Sequence, residues 1–97
     1  MNSELENMTE LSVNNNLVSI IVVNFNAGDL LKSCIFKCLE QAEQVIIVDN
    51  NSTDNSVEGV SACFDNEPRL NIISNEENVG FAAGCNIGTE VANNDYC

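Results

Sequence analysis

Three apolar runs set the rhythm of the chain. Leu17 to Asn24 (LVSIIVVN) is an almost unbroken β-branched run, the pattern of a strand buried on both faces of a parallel sheet. After the turn FNAG, apolar residues at Leu30, Leu31, Cys34, Ile35, Cys38 and Leu39 recur at helical spacing. Asp29 in the first turn and Lys37 near the end each suit the helix dipole, so this stretch predicts an amphipathic helix. Gln44 to Val48 (QVIIV) predicts a second buried strand, broken off by the polar string DNNSTDNS. A short helix follows, with Val57, Val60 and Phe64 on one stripe and Ser52, Thr53 or Asp54 available to cap it. Leu70 to Ser74 predicts a third strand, the residues from about Gly80 to Asn93 a third helix, and Tyr96 with Cys97 the first residues of a further strand.

Strand alternating with helix is the grammar of an open α/β sheet with right-handed, Rossmann-like crossovers. Three apolar strands with another just beginning read as a partial, mainly parallel sheet, so the chain is expected to be incomplete. Residues 1–16 are polar and acidic without a sustained period and are expected to form a disordered arm ahead of a domain over 17–97. Ligands of such sheets bind at the carboxyl ends of the strands. Attention therefore falls on Asn24 to Gly28, Asp49 to Asp54 and Asn75 to Gly80.

Charge and composition narrow the chemistry. With 15 acidic against 3 basic residues and a net charge of −12, there is no basic face for a nucleic-acid backbone. The absence of histidine excludes an imidazole base, a serine–histidine triad and a histidine zinc site. No run is long enough to span a bilayer, and five cysteines on largely apolar positions suit reduced thiols, so a cytoplasmic chain is expected. Cys34 and Cys38 share the apolar helix face without a second pair at zinc spacing, which favours packing over metal.

Asp49 stands where a ribose-binding acid would in a dinucleotide fold, but NFNAGD lacks the glycine trio of that fold and no P-loop occurs. Asp49 and Asp54 could equally terminate a strand and start a helix, and Asn24 and Asn26 could be turn residues. Phe25, an aromatic at a polar loop, either packs under a neighbour or stacks on a ligand ring. In NVGFAAGCNIGTEV, Gly84 and Gly88 share a helix face at about 1 kcal/mol each relative to alanine. That cost implies close approach, either to the sheet or to a ligand.

Together, SIIVVNFNAGDLLKSC, VIIVDNNSTDNS and NEENVGFAAGCNIGTEVANNDY resemble the N-terminal half of family 2 glycosyltransferases, nucleotide-sugar transferases of the GT-A fold, over residues 17–97. Within the family the pattern is most similar to the bacterial rhamnosyltransferase-like subgroup. The resemblance implies that Val23, Asn24 and Phe25 line the nucleobase pocket, with Asp49 as the acid at the end of strand two and Asn50 contacting the base. It implies that Gly80, Phe81 and Asn86 pass beside the ribose and diphosphate, and that Asp54 shapes the loop.

The Asp-x-Asp element that holds the divalent metal (Mg or Mn) in such enzymes does not occur here, nor does the segment carrying the general base, so no catalytic or metal-binding residue is assigned. The implied partners are a nucleoside diphosphate sugar and a glycan or lipid-linked acceptor, met in the cytoplasm or at the inner face of the membrane. The alternative is a non-catalytic nucleotide-binding or interaction module derived from a truncated transferase gene.

Overall fold

The computed structural model describes residues 8–12 and 18–96, with side chains from 18 to 92. Its elements run β1 (Met8–Ser12), β2 (Val18–Asn24), α1 (Asp29–Leu39), β3 (Gln44–Asp49), α2 (Ser56–Cys63), β4 (Leu70–Ser74) and α3 (Phe81–Tyr96). The sheet order is β1-β2-β3-β4, with β2, β3 and β4 parallel and β1 antiparallel to β2. This is the open, mainly parallel α/β sheet expected from the apolar runs.

Strand periodicity of two divides β2 and β3 between two cores. Ile20, Val22, Val45 and Ile47 face α1 and α2, meeting Leu31, Ile35, Cys38, Leu39 and Val60. Ile21, Val23, Ile46 and Val48 face the other way, toward Ala92 and the partly buried Cys85, Ile87 and Val91 of α3. Both strands are apolar on both faces because both faces are covered, and each buried Ile or Val contributes roughly 1.5–3 kcal/mol. Cys34 packs against the first core beside the buried Cys38, with the two Sγ atoms 4.0 Å apart. The hydrogen bond from Cys38 holds the Cys34 thiol down, at about 7, against the opposing effect of burial.

Gly84 and Gly88 are explained by the sheet. A Cβ on Gly84 would lie 2.9 Å from Cγ1 of Val23, and one on Gly88 only 2.5 Å from Cγ2 of Ile21. The missing methyl groups let α3 lie directly on β2 and β3. At the C-terminal end of α1, Arg69 donates from Nη1 to the carbonyls of Leu39 and Ala42 and pairs with Glu67 at 2.9 Å.

Three expectations change. The arm expected over residues 1–16 contains a strand, Met8–Ser12, because the open edge of β2 offers backbone partners that need no apolar pattern in MTELS. The rest of that arm lies outside the described residues. Tyr96 ends α3 instead of opening a strand, since no glycine or proline after Gly88 interrupts the helix; Cys97 lies outside the described residues. The cap of α2 is Asn55, without a side-chain cap bond, and Asp54 instead accepts from the N–H and hydroxyl of Ser56. Among the described residues no helix is long and apolar enough to cross a membrane.

Candidate functional site

Parallel register brings Asn24, Asp49 and Ser74 into one row across the carboxyl ends of β2, β3 and β4. The ladder runs one step further, with Asn50 N–H donating to the Asn24 carbonyl and Asn75 N–H to the Asp49 carbonyl, both at 2.8 Å. Three loops therefore leave the sheet side by side, 25–28, 50–55 and 75–80. Asn26 (φ 55°) and Asn51 (φ 65°) take left-handed conformations that asparagine tolerates, and Gly28 (φ 65°, ψ −143°) one that needs glycine.

A polar network laces the first two loops. Asn24 is 1% exposed, and its Nδ2 donates toward Asp49 Oδ1 at 2.8 Å, Ser56 Oγ at 3.0 Å and Ser52 Oγ at 3.1 Å. Ser52 donates its hydroxyl to Asp49 Oδ1 at 2.7 Å and its N–H to Oδ2 at 3.0 Å, so both carboxylate oxygens of Asp49 are engaged. Asn26 receives the N–H groups of Thr53 and Asp54 on its Oδ1 and donates its own N–H to Ser52 Oγ. Asp54 accepts from Gly28 N–H at 3.0 Å, closing the second loop over the first. The Ser56 hydroxyl, then the N–H groups of Ser56 and Gly28, hold the Asp54 carboxyl below the usual range.

Asn50 performs the same task between the second and third loops. Its Nδ2 donates to the Gly80 carbonyl at 3.1 Å, while its Oδ1 accepts from Asn75 Nδ2 at 2.9 Å and Val79 N–H at 3.4 Å. Asn78 then accepts from Gly80 N–H at 2.8 Å and shapes the entry to α3. One buried acceptor, Asn24 Oδ1, has no partner among the described residues. Turning the amide over would aim that oxygen at the Asp49 carboxylate, so the donor orientation is held despite roughly 1–3 kcal/mol for an unsatisfied buried acceptor.

The structure thus groups the candidate residues by depth. Val23, Asn24, Asp49 and Asn50 are buried beneath the loops, whereas Phe25 is 45% and Phe81 42% exposed above them. Gly80 joins the group through its carbonyl bond to Asn50. Asn86 does not: it is exposed, two residues from each of the buried Gly84 and Gly88, which puts it on the outer side of α3. Ser52, Ser56, Asn26 and Asn75 also hold the loops together, where the sequence suggested a helix cap for Ser52, a turn for Asn26 and no role for Ser56. The spacing Asp49-x-x-Ser52 is a local carboxylate-to-backbone pattern that could have flagged one of them.

Among the described residues no three His, Cys, Asp or Glu side chains converge as metal ligands. Asp49 and Asp54 have their oxygens committed to the loops, so the described site does not fit a divalent metal. What the laced base leaves for a ligand is aromatic faces, amides and backbone groups.

Residues 19–97 match the family model described as glycosyl transferase family 2. The chain is 39% identical over 83 residues to an uncharacterized glycosyltransferase of Haemophilus influenzae, a match covering 82% of this chain and 33% of that protein. It is 35% identical to the glycosyltransferase GlyG of Streptococcus pneumoniae, over 82% of this chain and 28% of that one. A hyaluronan synthase of Pasteurella multocida is 31% identical over the same share of this chain but only 8% of its own length. No solved structure matches. The chain spans a third or less of these relatives. With the family model covering nearly all of β2 through α3, the chain belongs to glycosyl transferase family 2.

Proposed function

We propose that these loops form the donor-nucleotide pocket of a glycosyltransferase that moves a sugar from a nucleoside diphosphate sugar to a glycan or lipid-linked acceptor. The observation that carries the reading is the exposure of two rings, Phe25 in the first loop and Phe81 at the start of α3, 45% and 42% exposed beside loops that Asp54 and Asn50 tie together. A base stacked on such a face gains roughly 1–3 kcal/mol. Beneath it, Asn24, Asp49 and Asn50 act as positioning residues: they lock the loops so that the aromatic and backbone groups meet the nucleoside without reorganising. Gly80, by lacking a side chain at φ 89°, keeps the approach to α3 open for the ribose and diphosphate. Asn86, on the outer side of α3, is the weakest member of the proposed set. The transfer step, and the divalent metal of the complete enzyme, are assigned to no residue of these loops.

Titration calorimetry of the chain with UDP, dTDP and GDP in the presence of manganese tests the reading. One of the three is expected to bind in the micromolar range, and Phe25→Ala to weaken it about tenfold or more while circular dichroism stays unchanged. A folded chain that binds none of them, or whose binding ignores Phe25→Ala, would overturn it.

A further inference from the structure

α1 and α2 cover one face of the sheet and α3 the other. That change of face determines where the polypeptide heads after α3, because crossovers between parallel strands are right-handed in nearly all proteins. With helices on the first face, right-handed crossovers step from β2 to β3 to β4. A right-handed crossover through the opposite face must step back, from β4 past β3 and β2. α3 follows that path, with Gly84 against Val23 of β2 and Gly88 against Ile21 of β2 and Val48 of β3. Both of those strands already have neighbours on their inner sides, so the first seat for a following parallel strand is the outer edge of β2. Met8–Ser12 sits in that seat, antiparallel, with Met8 opposite Val22 and Ser12 opposite Val18.

Any strand on that edge uses the same outward N–H and C=O groups of β2, so two cannot be seated together. We infer that the outer edge of β2 is a strand-acceptor site with an exchangeable occupant: Met8–Ser12 fills it here and is displaced wherever the polypeptide continues past α3 as a parallel strand. The sequence MTELS has three polar positions in five and little to bury, whereas a strand between helical layers is apolar on both faces, as β2 and β3 are. The exchange reaches the candidate site, since Met8 pairs two residues before Asn24 and the point where strand order reverses is where ligands of such sheets bind.

Native-state hydrogen exchange with mass spectrometry tests this on the intact chain. Amides of 8–12 are expected to exchange roughly 100-fold or more faster than those of β3, with little dependence on low denaturant, as a separately opening unit. Exchange of 8–12 in step with β3 would mean a permanent strand and overturn the inference. The double substitution Thr9→Pro and Glu10→Pro should speed exchange in β2 but not in β3; an unchanged β2 would mean that its edge is not covered by 8–12. In a chimera continuing from residue 92 into the Haemophilus influenzae relative, 8–12 should lose protection while β2 keeps it, and retained protection of 8–12 would again refute displacement.

Discussion

At the scale of single residues, the glycines of the helices separate two effects that usually oppose each other. Replacing a helical glycine with alanine gains up to about 1 kcal/mol in propensity, but overpacking a core costs about 1–3 kcal/mol. At Gly59 of α2 a Cβ would meet nothing within 4 Å, so Gly59→Ala is expected to raise stability by about 0.5–1 kcal/mol. At Gly88 a Cβ would stand 2.5 Å from a methyl of the fully buried Ile21, and at Gly84 2.9 Å from one of the almost fully buried Val23. Packing therefore wins at both: Gly88→Ala should cost about 2 kcal/mol or more, and Gly84→Ala less. Urea denaturation of the three variants checks the order, and a neutral or stabilising Gly88→Ala would mean that α3 does not lie so close to the sheet.

At the scale of elements, the loops behave as one unit because Asp54 ties the start of α2 to Gly28 at the start of α1. A carboxyl held below its usual range contributes stability that is present above the unfolded value and is lost as pH falls through the folded one. Acidification below about pH 4 should thus weaken the link between the first two loops. Asp54→Asn should remove part of the decline in urea midpoint between pH 6 and pH 3, and an unchanged profile would mean that the contact adds nothing to stability.

Such links were not legible in the sequence, whereas the elements they join largely were. β2 and β3 announce themselves because both faces are covered, and α1 because only one is. β1 could not be read, since backbone pairing with β2 and not side-chain pattern makes it a strand. The positions of the polar loops followed from the strand ends. Their lacing did not, because Asn24 meets Ser56 32 residues away and Asn50 meets Gly80 30 residues away, and only register brings them together.

At the scale of the whole molecule, charge decides what these loops can hold unaided. The net charge is −12, and of three cations Arg69 is paired with Glu67 while Lys32 and Lys37 belong to α1, so none lies in the three loops. A nucleoside is neutral and should feel only the aromatic and amide groups. A nucleoside diphosphate brings its phosphates into a field of like sign, which reaches about 30 Å at 0.01 M salt and only a few ångströms near 1 M. Without a divalent metal, the nucleoside of whichever base binds is therefore expected to bind several-fold more tightly than its diphosphate at 0.01 M salt, with the gap narrowing as salt rises to 0.3 M. Calorimetry across that range checks it with the chain as it stands. If the diphosphate bound the more tightly at low salt, a cationic phosphate seat would have to be formed by residues other than these loops, and recognition would rest on the diphosphate instead of the base.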